Sequence, residues 1–176
     1  MKILLKKLIL STSLLGLLAL PALAECPRGD LDTRYCDVNG DLVADTPTDS
    51  SKWLDPDTLI FAYTPVEDPS VYRGVWADFL DNMEKVTGKK VIFFPVQSNA
   101  AQIEAMRSGR LHVAGFNTGS NPLAVNCAGF ESFAIMASLT GHFGYEMEII
   151  TYPGSGISKV EDIRGKTLAF TSPTSN

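Results

Sequence analysis

Alternating strand and helix signals place this chain in the α/β class, with a parallel-rich sheet. Short apolar runs recur at residues 58–64, 91–96 and 111–116. Stretches with helical spacing separate them, at 68–88 and 98–107, and glycines at positions 88 and 109 close those stretches. Strand, helix, strand, helix, strand is the pattern of a sheet whose parallel strands are joined by helical crossovers.

The chain begins with Lys2, Lys6 and Lys7 around an apolar run at 8–20, closed by the small residues Ala22 and Ala24. That is the plan of a secretory signal peptide cleaved after Ala24. The run is shorter than the roughly 20 residues a membrane span requires, so residues 1–24 are expected to leave a soluble exported protein. Their removal takes away three lysines and no acid, moving the net charge from −5 to −8. No basic cluster remains to follow a nucleic-acid backbone, and no such partner is expected.

Residues 25–57 read as a polar N-terminal extension built from turns. Cys26 and Cys36 are close enough in sequence to close a small disulfide loop in an oxidising compartment. Cys127 is left over, as a small core residue or as the partner of another cysteine. Within the extension, Asp37, Asn39, Asp41 and Asp45 fall at positions one, three, five and nine of a loop, a spacing calcium favours. Leu42 stands where an EF-hand places glycine, and Thr48 where it places its closing glutamate. A structural calcium site and a solvated loop of Asx-turns are both open readings.

The first strand, 58–64, is apolar on both faces, as a central parallel strand is. Asp68, Pro69 and Ser70 start a helix in which Val71, Val75, Phe79, Met83 and Val86 follow at helical spacing until Gly88. The second strand is 91–96. A second helix at 98–107 carries Ala101, Ile103, Ala105 and Met106 as apolar positions. The third strand, 111–116, leads to a short helix at 121–127. Further strands are expected at 133–139, 146–152 and 167–170, with one helical turn at 158–163 before Gly165.

In open α/β sheets ligands sit beyond the carboxyl ends of the strands. That rule selects Tyr63 and Thr64 after the first strand, Asn117 and Thr118 after the third, and Thr174 and Ser175 after the last. Hydroxyls and amides at helix starts bind oxyanions without net positive charge. Catalysis is not expected: His112 falls within a strand, and no nucleophile motif accompanies His142.

Phe61-Ala62-Tyr63-Thr64-Pro65-Val66-Glu67-Asp68-Pro69 resembles the opening strand and loop of the phosphate/phosphite/phosphonate ABC-transporter substrate-binding proteins. Ser108-Gly109-Arg110-Leu111-His112-Val113-Ala114-Gly115-Phe116 resembles the segment before their second binding loop. Asp162-Ile163-Arg164-Gly165-Lys166-Thr167-Leu168-Ala169-Phe170 and the hydroxyl-rich residues after it resemble the strand and loop that hold the phosphonate. The resemblance implies a periplasmic-binding-protein-like first lobe at 58–143, and a crossover with the start of a second lobe at 144–176. The second lobe would be mostly missing and the chain incomplete at its C-terminus. It further implies a monomeric periplasmic receptor that delivers a phosphonate, phosphite or phosphate to an ABC permease, with no cofactor. Tyr63, Thr64, Asn117, Thr118, Thr174 and Ser175 would contact the oxyanion. A secreted calcium-dependent interaction module, or a receptor for a different small anion, is the alternative.

Overall fold

The computed structural model describes residues 26–64, 68–171 and 173. The signal segment, Thr174 and Ser175 lie outside the described residues. Three strands form a parallel sheet in the order β2-β1-β3: β1 at Thr58–Tyr63, β2 at Lys90–Phe93 and β3 at Val113–Gly115. Helices α1 (Pro69–Val75) and α2 (Ala77–Thr87) connect β1 to β2; α3 (Asn99–Arg107) connects β2 to β3, and α4 (Asn121–Ala128) follows. The α/β class and the parallel pairing read from the sequence are what the chain adopts.

As the central strand, β1 buries both faces. Phe61 and Ala62 point to opposite sides and are 3% and 0% exposed. Phe61 meets Val91 and Phe93 of the sheet and Trp76, Leu80 and Met83 of the α2 side. Its ring lies 5.2 Å from those of both Trp76 and Phe79, within the range in which tilted aromatic pairs attract. On the opposite face Ala62 packs with Val96, Ala105 and Leu111. A further cluster of Ile103, Ala124 and Ala128 joins α3 to α4, with Phe116 and Phe130 against it.

The continuous helix expected at 71–86 is broken at Trp76, which sits between α1 and α2. Gly74 weakens the helix just before the break, and the turn there lets the indole enter the aromatic cluster. The buried face of α2 consequently follows Trp76, Leu80 and Met83, while Val71, Val75 and Val86 remain exposed. Gly88 closes α2 in a left-handed conformation at φ 69°. In α3, the Ser98 hydroxyl accepts the Ala101 N–H at 3.1 Å as an N-cap.

Both outer strands are shorter than the sequence suggests. β2 stops at Phe93, ahead of Pro95, which has no N–H to give a ladder. β3 starts only at Val113 because the His112 side chain takes part in the pairing. The Ile60 N–H donates to His112 Nδ1 at 3.0 Å, while the His112 N–H donates to the Ile60 carbonyl at 3.0 Å. The strands expected at 133–139, 146–152 and 167–170 do not form. A strand requires a neighbour to accept its backbone hydrogen bonds, and no further strand pairs with these segments among the described residues. Phe133, Ile135, Leu139 and Ile150 are exposed there. The expected turn at 158–163 is a 3-10 helix at Val160–Ile163, preceded by Ser158 and Lys159 N–H groups bonded to Asp162 Oδ2.

The N-terminal extension consists of turns with one 3-10 helix at Ser50–Lys52, and Arg34 ties it to the ends of α3 and α4. Cys26 and Cys36 form a disulfide with Cα atoms 5.5 Å apart. Arg34 donates to the carbonyls of Arg107 at 2.9 Å and Cys127 at 3.0 Å, satisfying one C-terminal carbonyl of each helix. Asp32 holds the Arg34 guanidinium through a 2.9 Å ion pair, and its backbone N–H donates to the Asn126 carbonyl at 2.8 Å. The bond from Arg34 keeps the Asp32 carboxyl below the usual carboxylate range. Cys127 is exposed and has no disulfide, which corrects the reading of a buried core thiol: its side chain is on the outer side of α4.

Candidate functional site

The register Tyr63↔Gly115 brings the carboxyl ends of β1 and β3 side by side. Thr64 then reaches across to β3 twice. Its N–H and its hydroxyl both donate to the Gly115 carbonyl, at 2.9 and 3.2 Å. The same hydroxyl accepts the Asn117 N–H at 3.1 Å. Thr64 is 6% exposed, so its side chain fixes the Asn117 loop from beneath. Tyr63 is half-buried beside it, its ring 4.7 Å from that of Trp76. A Cβ at Gly115 would overlap the Tyr63 ring, so the absence of a side chain at 115 gives that ring its place.

Asn117 opens α4. Its Oδ1 accepts the Ser120 N–H at 2.8 Å and the Ser120 hydroxyl at 2.7 Å, and its carbonyl accepts the Asn121 N–H at 2.9 Å. Pro122, in the first turn of α4, has no N–H. These bonds satisfy backbone donors at the helix start internally. What the loop turns outward includes the Thr118 hydroxyl, on an exposed residue. That hydroxyl lies 2.9 Å from the Tyr145 hydroxyl, and either oxygen can donate.

The structure therefore brings together Tyr63, Thr64, Asn117 and Thr118, with Thr64 and Asn117 in direct contact. Thr174 and Ser175 lie outside the described residues. Two residues at the site were missed from the sequence. Gln102 is fully buried and donates from Nε2 to Gly115 O at 3.0 Å and Ala62 O at 3.4 Å. Its position three before Ala105 and four before Met106 set a polar residue in the apolar stripe of α3, which is the signal that was available. Tyr145 is the second, and a contact 27 positions away in sequence leaves no local trace.

The Asp-rich loop stands apart from this cluster. Asp37 is 5% exposed; its Oδ1 accepts the N–H groups of Gly40 and Asp41 at 2.8 and 3.0 Å, and its Oδ2 accepts that of Leu42 at 3.1 Å. Asn39 Oδ1 accepts the Asp41 N–H, Asp41 Oδ1 the Val43 N–H and Asp45 Oδ2 the Val38 N–H. Leu42 takes a left-handed φ of 69°. Among the described residues no group of three or more His, Cys, Asp or Glu side chains converges as a metal site.

A parallel α/β unit with hydroxyl and amide groups gathered at adjoining strand ends has the architecture of one lobe in the class of periplasmic binding proteins. The family described as ABC transporter, phosphonate, periplasmic substrate-binding protein matches residues 61–176, and the chain belongs to it. It is 30% identical over 113 residues to the phosphonates-binding periplasmic protein of Escherichia coli K12, covering 64% of this chain and 33% of that relative. The chain thus spans about a third of the length of that curated relative. It also overlaps the crystal structure of a binding protein component of an ABC phosphonate transporter from Pseudomonas aeruginosa. That overlap has a TM-score of 0.47 at 26% identity, over 50% of this chain and 29% of the other. The family is one of transport receptors, not of enzymes.

Proposed function

We propose that this chain captures a phosphorus oxyanion in the periplasm and delivers it to the permease of an ABC importer. Phosphonate is the preferred ligand in this reading, with phosphite and phosphate in the same chemical class. The carrying observation is the convergence on the Gly115 carbonyl. It locks β1 to β3, holds Asn117 through Thr64 and sets Thr118 at the start of α4, where hydroxyl donors and the helix dipole both favour an anion. Tyr63 would flank the ligand, and Thr174 and Ser175 would meet it from the opposite side. Because its hydroxyl is engaged with Gly115 and Asn117, Thr64 serves the ligand through Asn117. The protein would work as a monomer after cleavage behind Ala24.

A second reading, calcium at Asp37, Asn39, Asp41 and Asp45, is favoured by the left-handed Leu42 at the loop position where calcium loops use glycine. One experiment separates the two. Thermal unfolding of the complete gene product is followed with methylphosphonate, phosphite, phosphate and calcium, and calorimetry is repeated on Thr174→Ala/Ser175→Ala. The oxyanion reading expects stabilisation by methylphosphonate and a loss of affinity of roughly tenfold or more in the double variant. Stabilisation by calcium alone supports the interaction module. Unchanged methylphosphonate affinity in the double variant removes Thr174 and Ser175 from the site.

A further inference from the structure

Gln102 sits in the middle of α3 and has no contact with solvent, at 0% exposed. Its Nε2 carries two hydrogens, and two carbonyls take them: Gly115 O at 3.0 Å and Ala62 O at 3.4 Å. The first belongs to β3 and the second to β1. The amide thus bridges the two strands beside the register pair Tyr63↔Gly115. We infer that Gln102 is a positioning residue for the ligand, its buried amide tying the ends of β1 and β3 so that the Asn117–Thr118 loop keeps its binding geometry. Gln102 does not touch the ligand, and the inference rests on the oxyanion reading above.

Three donors meet on the Gly115 carbonyl: the Thr64 N–H, the Thr64 hydroxyl and Gln102 Nε2. A carbonyl oxygen has two lone pairs, so these donors share it and each constrains the direction of the others. The Thr64 hydroxyl in turn accepts the Asn117 N–H. A bond from α3 therefore reaches the loop through one carbonyl and one hydroxyl, and hydrogen bonds chained in this way polarise one another in a buried setting. The helix is a firm base for it. Ile103 packs with Ala124 and Ala128 of α4, while Ala105 packs with Ala62 and Leu111. The other half of the amide is at odds with a purely stabilising role. Gln102 Oε1 is buried with no hydrogen-bond donor among the described residues. A buried acceptor in that state costs stability, a cost that an apolar side chain of similar length avoids. What the amide gains lies at the two strand-end carbonyls.

The test is calorimetry of methylphosphonate binding to the full chain, with Gln102→Met and Gln102→Glu beside the wild type and ligand-free melting of each. Gln102→Met keeps the length and removes the donors. It is expected to bind about fivefold more weakly, the effect of one neutral hydrogen bond, with little change in melting temperature. Gln102→Glu keeps the shape, but its carboxyl donates only when protonated. Its affinity is taken as a ratio to the wild type at each pH, because methylphosphonate titrates too. That ratio is expected to be near one at about pH 5 and to fall severalfold by about pH 9. Wild-type affinity in Gln102→Met would overturn the inference while leaving the oxyanion reading standing. So would a Gln102→Glu ratio that stays flat while its melting temperature moves with pH, the mark of a structural role alone. If Gln102→Met does not fold, the Gln102→Glu ratio decides. Failure of the wild-type protein to bind methylphosphonate, phosphite or phosphate would overturn both.

Discussion

A methyl group at position 115 would press into the Tyr63 ring, and the Gly115 carbonyl accepts from Thr64 N, Thr64 Oγ1 and Gln102 Nε2. Gly115→Ala is therefore expected to destabilise by about 1–3 kcal/mol, as overpacking of a filled site does, and to weaken oxyanion binding at the same time. Denaturant unfolding and calorimetry on the same variant check this. An unchanged unfolding midpoint would mean that the Tyr63 ring moves aside at no cost. Gln102 illustrates how a residue-scale feature escapes a reading by periodicity. Glutamine on a helix is ordinarily solvated, and only the positions of Ala105 and Met106 reveal that this one faces inward. Tyr63, Thr64, Asn117 and Thr118 were legible because strand ends are defined by the apolar runs before them. The distinction between Thr64, buried beneath the loop, and Thr118, turned outward, was not. It depends on which hydrogen bonds close, and the residue types are the same.

At the scale of elements, the N-terminal extension acts as a strap over the C-termini of α3 and α4. The Arg34 guanidinium bonded to Arg107 O and Cys127 O places a cation where both helix dipoles are negative. Asp32 orients that guanidinium, and its carboxyl is held below the ordinary range by the bond to Arg34. A carboxyl depressed on folding contributes stability that is present above its unfolded value, about 3.9, and is lost as pH falls through the lower folded value. Asp32→Asn is thus expected to lower the melting temperature at neutral pH and to converge with the wild type in strong acid. A constant difference across the acid limb would show that the carboxylate charge is not what counts. The helices and central strand were readable from the sequence because local periodicity decides them. The break at Trp76 was not, since the indole's reward comes from Phe61 and Tyr63, strand residues that periodicity within the helix does not include.

Across the whole molecule, one face is closed and another is not. Both sides of β1 are covered, whereas Phe133, Ile135, Leu139, Phe143 and Ile150 lie in water, and the chain spans about a third of its curated relative. Exposed apolar side chains grouped along one segment offer an apolar dye places to bind. Residues 26–176 are expected to bind a hydrophobic dye and to hold methylphosphonate weakly. Poor dye binding would show that these side chains are covered in solution. The same contrast explains which strands were misread. The runs at 133–139 and 146–152 have the composition of strands, but composition does not supply a neighbour.

His112 carries a last consequence. Its imidazole stands in for a backbone carbonyl and takes the Ile60 N–H, so the alignment of β3 against β1 is keyed by a side chain as well as by the ladder. A slip of one position would put Leu111 or Val113 opposite that N–H, and neither has a side-chain atom to receive it. Which hydroxyls meet at the carboxyl ends of the two strands is set by that alignment. A single imidazole just ahead of a short strand thus helps to fix which residues stand side by side at the strand ends.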